Sequence, residues 1–167
     1  MSVVNEQLLT TKLTIPSSQI QKNIDIVVRD KLQSLVEGVC YEEGFILKGS
    51  CKVIKRSPGK IVSHNNQAGI QYTITYLAKI ISPSPGDIYQ VYIDNVNKMG
   101  AIAYIRVKST DTLDESPLII IIPKKYFEGT RWNLEDLTKN QVITVEVVGE
   151  RIRYQSKKIQ VVAKPKD

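Results

Sequence analysis

The sequence predicts an α+β chain in two parts, a helix packed on a small antiparallel sheet over residues 1–83 and a five-stranded β-barrel over residues 84–167. Three observations carry that expectation. Apolar residues recur at three-and-four spacing from Ile20 to Val36 and stop at Gly38, which marks an amphipathic helix and its end. Ser82-Pro83-Ser84-Pro85-Gly86 interrupts the chain with two prolines that restrict the backbone and remove amide donors. Beyond it come five strand-like segments, with a helix-prone insert between the third and the fourth.

Taken in order, residues 7–15 place Leu9, Thr11, Leu13 and Ile15 on one parity, the alternation of a half-buried strand, and Pro16 ends it. The helix is expected over residues 18–37, with Ile20, Ile24, Val27, Val28, Leu32, Leu35 and Val36 on its dry face. Ser18 and Gln21 have the spacing of a capping box, in which hydroxyl and amide each satisfy a backbone donor that the first turn leaves free. Gly38 supplies the positive φ with which helices commonly end. Residues 45–55 then read as one strand, residues 60–66 as a short strand running into a polar turn, and residues 71–81 as a longer strand with Tyr72, Ile74, Tyr76 and Ala78 on one face.

After the proline break, strands are expected at residues 87–96, 101–108, 117–123, 141–148 and 153–162, with a turn at 97–100 and an irregular or briefly helical connection at 124–140. That is the plan of an OB-type barrel, a partly open Greek-key barrel often used to bind single-stranded nucleic acid. Residues 118–122 are apolar on both parities, so their second face is expected to be covered by the other domain or by a partner subunit, the alternative being a strand simply buried on both sides.

The balance of 23 Lys and Arg against 17 Asp and Glu leaves +6, which favours a polyanionic partner. The first residues lack the pattern of a secretory signal, and the longest apolar run is far too short to cross a bilayer, so no membrane association is expected. Cys40 and Cys51 have no CxxC spacing and no clustered histidine, which leaves two reduced thiols rather than a zinc site. His64 stands in a polar stretch without a nucleophile arranged for it. Asp111, Asp114 and Glu115 read as a solvated loop without calcium-site spacing. Isolated glycines form no phosphate loop. The chain reads as a binding module with no catalytic residues, no metal and no cofactor.

The functional surface is expected on the second barrel strand. Ala101, Ala103, Ile105 and Val107 share one parity, and Ile102, Tyr104, Arg106 and Lys108 the other. An aromatic beside two cations can stack a base and meet phosphates. Lys98 in the preceding turn, with Arg151, Arg153 and Tyr154 around the last hairpin, would extend the groove. A plain solvated strand face is the alternative.

Through those motifs the chain resembles the larger stalk subunit of multisubunit DNA-directed RNA polymerases, the archaeal E-type subunit and its eukaryotic or large-DNA-virus counterparts. Residues 31–47, KLQSLVEGVCYEEGFIL, look like the amino-terminal tip domain of that family. Gly86-Asp87-Ile88 with Gly100 further on resembles the start of its OB domain. Ile121-Ile122-Pro123-Lys124-Lys125-Tyr126-Phe127 resembles its third barrel strand running into a short helix, and residues 142–152 its last hairpin. Two positions depart from the family pattern: Val91 stands where a glycine is usual, and Ala101 where RNA-binding OB domains often carry an aromatic.

The resemblance implies that the tip domain, with Gly38, Gly44 and Phe45 at its docking surface, seats on the RNA polymerase core subunits near the clamp. It also implies a smaller helical stalk subunit as heterodimer partner and an OB domain near nascent single-stranded RNA. The nucleus, or a cytoplasmic viral factory and virion for a large DNA virus, would be the location. The competing expectation is a free-standing OB-fold RNA-binding or translation factor.

Overall fold

The computed structural model describes residues 4–20, 23–108 and 111–166. In chain order it contains β1 (Val4–Pro16), a 3-10 turn (Ser17–Gln19), α1 (Ile24–Val36), β2 (Cys40–Tyr41), β3 (Gly44–Ile46), β4 (Lys52–Arg56), β5 (Lys60–His64) and β6 (Gln67–Ile81). Then follow β7 (Ile88–Asn97), β8 (Gly100–Tyr104), β9 (Leu118–Pro123), 3-10 turns at Lys124–Phe127 and Leu134–Asp136, β10 (Val142–Arg151) and β11 (Ile159–Pro165). Among the described residues α1 is the one α-helix, and the protein is mostly β. The chain divides into two compact units, residues 4–38 with 46–80, and residues 39–45 with 81–166.

In the first of these units β6 is the spine of a sheet. β5 pairs with it antiparallel from Lys60↔Gln71 to His64↔Gln67, β4 from Lys52↔Leu77 to Arg56↔Ile74, and β1 is its neighbour at the end of the sheet. Tyr72, Ile74, Tyr76, Ala78 and Ile80 of β6 are all buried, the single parity that the alternation predicts. β1 buries Leu13 and Ile15, and α1, which touches β1, buries Val28, Leu32 and Val36. Arg56 ties the end of β4 to the first turn of α1, its Nε donating to Asp25 Oδ1 at 2.8 Å, while its guanidinium lies 5.0 Å from the Tyr72 ring centre.

Two expectations for this unit are corrected. The helix starts at Ile24 and not near Ser18, which lies in the 3-10 turn after Pro16. Gln21, the other half of the expected capping box, lies outside the described residues, as does the side chain of His64. The strand expected over 45–55 is two strands, because Glu37 at the helix end draws the chain into a turn: its carboxylate accepts from Gly49 N at 2.8 Å and from Cys51 N at 3.1 Å. Ser50 completes the turn, donating to Leu47 O and accepting from Lys79 N. Gly38 does end the helix at φ +77°, and its N–H donates to Ile46 O at 2.8 Å.

The position of Glu37 has a chemical consequence. Burial, then the adjacent Glu37 charge, pushes the Cys51 thiol up to about 12, and burial also raises Cys40. Both therefore stay protonated at neutral pH, and the thiol is a far weaker nucleophile than the thiolate. Alkylation of the native protein at pH 8 is expected to be slow at both positions and to speed up in denaturant. Stoichiometric labelling of Cys51 within minutes under native conditions would contradict this environment.

In the second unit the small β2–β3 hairpin pairs Cys40 with Phe45, and Cys40 also exchanges backbone hydrogen bonds with the 155–156 turn. Five strands close a barrel in the order β10-β11-β9-β8-β7, with β10 pairing back to β7. All neighbours run antiparallel except β9 and β11, which are parallel from Leu118↔Ile159 to Ile121↔Val162. That order, with the insert between β9 and β10, is consistent with an OB-type barrel. The interior is filled by Val91, Ile93, Ala101, Ala103, Ile120, Ile122, Ile143, Val145, Val161 and Ala163, each at most 1% exposed. Val91 and Ala101 are thus packing residues inside the barrel.

The break before the barrel is held by Asp87, whose carboxylate accepts from Ser84 N at 2.9 Å and from the Tyr89 hydroxyl at 3.3 Å. At the β7–β8 turn, Gly100 has φ +148° and faces the end of β9 so closely that a Cβ there would overlap the Ile122 carbonyl oxygen. The strand expected over 101–108 stops at Tyr104. Two buried polar side chains lead the chain away: Asp111 accepts from Val107 N and Lys108 N, both at 2.7 Å, and Ser116 accepts from Ile105 N and Leu118 N. Asp111 is 8% exposed and so belongs to a built turn rather than to a solvated loop. The last strand also shifts, from an expected 153–162 to Ile159–Pro165, because Ser156 and Gln155 are taken up by their bonds to β2 and the turn.

Candidate nucleic-acid interface

Tyr92 on β7 and Tyr104 on β8 stand directly opposite each other in the ladder. Each points outward, because its neighbours Val91, Ile93, Ala103 and Ile105 are buried on the barrel side. The rings stack at 5.8 Å with 26° between planes. Tyr104 donates its hydroxyl to Asn140 Oδ1 at 3.0 Å and accepts from Arg106 Nη2 at 3.1 Å. Arg106 is thereby laid over Tyr92, its guanidinium carbon 4.1 Å from the ring centre. The guanidinium is a permanent cation, and the Tyr104 hydrogen bond, with the nearby Asp111 charge, shifts it further above its ordinary value.

This arrangement changes the roles expected within the cluster. Tyr104, 3% exposed, offers no open ring face; it positions Arg106. The planar surface open to a ligand is the guanidinium itself, backed by Tyr92, and a base can stack on such a plane. Lys139 and Asn140 border the same shallow depression of about 250 Å³, together with the carboxylates of Asp94 and Asp111. The alternation of β7 could have revealed Tyr92 as an outward aromatic, but nothing local announces Asn140, which arrives from 36 residues away.

The other expected residues are spread more widely. Lys108 is exposed within the Asp111 turn, where its amide is held by the Asp111 carboxylate. Lys98 is exposed in the β7–β8 turn and lines a separate cleft of about 920 Å³ with Lys124, Phe127 and Trp132. Arg151 and Arg153 are exposed at and after the end of β10, and Tyr154, 68% exposed, meets Tyr41 edge-on at 5.4 Å. Within the expected nucleic-acid set, the structure brings Tyr104 and Arg106 together through a hydrogen bond. Gly44 is buried with φ +131°, and Phe45 is 7% exposed, so Phe45 offers little ring surface for docking. The outer side of β9 is partly open, with Ile121 40% exposed beside Val162 at 36%.

No group of three or more metal-ligating side chains occurs among the described residues, and no described helix is long and apolar enough to cross a membrane. No family model matches the chain, and no curated protein matches it in sequence. Among solved structures it is similar to the uncharacterized protein MJ1198 from Methanocaldococcus jannaschii, at 15% identity and a TM-score of 0.38, over 52% of this chain and 96% of that one. A likeness of that degree carries no argument about function.

Proposed function

We propose that the chain is a non-catalytic stalk subunit of a DNA-directed RNA polymerase, docking through its amino-terminal part and meeting nascent single-stranded RNA through the barrel. The observation that carries this reading is the placement of the residues on which the family resemblance rests. Gly38 ends α1 at positive φ, Gly86 and Asp87 form the turn that leads into β7, Gly100 makes the tight turn into β8, and Pro123 passes β9 into a 3-10 turn. An ordered set of motifs, each sitting where its chemistry is needed, supports the resemblance more strongly than any one of them.

In this reading the amino-terminal unit is the tip domain, a helix on a sheet. The buried stripe Val28, Leu32 and Val36 and the Arg56–Asp25 bond support that view. The cation laid over Tyr92 supports single-strand contact by the barrel. The open apolar strip at Ile121 and Val162 suits the smaller stalk subunit. Location follows the polymerase, in the nucleus or in a viral factory.

Affinity purification of the intact chain from its native source tests the proposal. Recovery of the large polymerase subunits supports it, whereas recovery of ribosomal subunits points to a free-standing RNA-binding or translation factor. Gly38→Val is expected to weaken polymerase recovery. Its φ of +77° is strained for valine, and a Cβ would lie 2.8 Å from Lys48 Cε, together about 1–3 kcal/mol of local distortion. Wild-type recovery by that variant would remove Gly38 from the docking surface.

A further inference from the structure

β1 ends the order of its sheet, with β6 on one side. Among the described residues no strand pairs with its other side, and Asn5 to Leu13 make no backbone hydrogen bond to any turn or loop. Over residues 5–13 such an edge presents a row of donors and acceptors for a further strand, which proteins usually protect with charged side chains, proline, bulges, inward charges or short length. This one is long and contains neither proline nor glycine before Pro16. Glu6, Leu8, Thr10 and Lys12, all on one parity, are exposed, Leu8 at 60%.

We infer that β1 is the interface of a symmetric dimer, in which it pairs antiparallel with β1 of a second copy about a two-fold axis at Leu9. The sequence of the edge selects that occupant. With Leu9 opposite Leu9, Glu6 of each copy faces Lys12 of the other, and Leu8 faces Thr10. Glu6 and Lys12 are equally spaced from Leu9, so one two-fold register makes both charge pairs at once. A slip of two residues sets Glu6 against Thr10 or Thr14 and Lys12 against Val4 or Leu8, and loses both pairs. Parallel pairing in register sets Glu6 against Glu6 and Lys12 against Lys12, which is repulsive.

The faces also agree. Antiparallel pairing about a residue keeps parity, so the exposed face of one β1 continues into the exposed face of the other, and the half-buried face with Gln7, Leu9 and Thr11 likewise. An isologous contact of this kind closes at two copies and leaves no further β1 edge free. Such a dimer does not depend on the polymerase reading.

Sedimentation velocity on the full chain across a concentration series tests it. The wild type is expected to show a monomer–dimer equilibrium in the micromolar range. Glu6→Lys and Lys12→Glu should each weaken dimerisation about tenfold or more, since two cross-strand pairs per dimer become repulsive. The double variant Glu6→Lys with Lys12→Glu restores both pairs with reversed sign and should regain wild-type dimerisation. Circular dichroism checks that each exposed-site variant is folded. A wild type that stays monomeric at about 100 µM, or a double variant that dimerises no better than the single ones, overturns the inference.

Discussion

Gly100→Ala is expected to destabilise the protein by about 3–5 kcal/mol, from a strained backbone and an overlap that can be relieved only by moving strands. The backbone at Gly100 has φ +148°, and the added Cβ would fall on the Ile122 carbonyl oxygen and close to Pro123 Cα. Both are backbone atoms of β9, in the ladder that pairs Gly100 with Pro123. No side chain can swing aside to make room. For a chain of this length the loss should lower the thermal midpoint by about 10 °C.

Gly129→Ala is the matched control. It also has positive φ, +78°, but a Cβ there meets nothing within 4 Å. That variant is expected to cost only about 1 kcal/mol of backbone strain. The difference between the two melting curves measures the close approach of the β7–β8 turn to β9. Equal midpoints for the two variants would mean that the turn yields easily and that Gly100 is held by conformation alone.

Single-stranded RNA affinity should depend most on Arg106. Arg106→Ala removes the stacking plane over Tyr92 and a permanent cation, and is expected to weaken binding of a labelled oligoribonucleotide by about 1–3 kcal/mol. It should also flatten the salt dependence by about 0.7, because one phosphate is no longer neutralised and fewer counterions are released. Tyr104→Phe keeps the ring and removes the hydroxyl that joins Arg106 to Asn140. Its smaller effect, about 1 kcal/mol, should leave the salt slope unchanged, because no charge is removed. Titrations at several salt concentrations separate these effects. If Arg106→Ala binds as tightly and with the same slope as the wild type, the cluster is a structural clasp on the barrel and RNA contact lies elsewhere.

The expectation that Tyr104 would be the stacking platform shows how far strand parity reaches. Alternation along 101–105 places Ala101, Ala103 and Ile105 inside and Tyr104 outside, and the burial of the first three agrees. Whether an outward side chain is open depends on what is laid over it. Tyr92 reaches Tyr104 across a ladder, and Asn140 from a distant connection. No pattern within β8 contains either.

Local patterns by themselves determined much of the rest. The alternation of β6 identified its buried face, the glycine at 38 identified the end of α1, and the run of short apolar segments after the prolines identified five barrel strands. These features arise from interactions between near neighbours in the chain, so a single sequence displays them. Tertiary structure decided where strands stop and which polar groups are structural. Glu37 bends the chain at Gly49 and Cys51, and Asp111 and Ser116 end the second barrel strand by capturing the amides of Val107, Lys108 and Ile105. A carboxylate accepts from whichever amides the fold brings within about 3 Å; the sequence shows the carboxylate, and only the folded chain shows the amides.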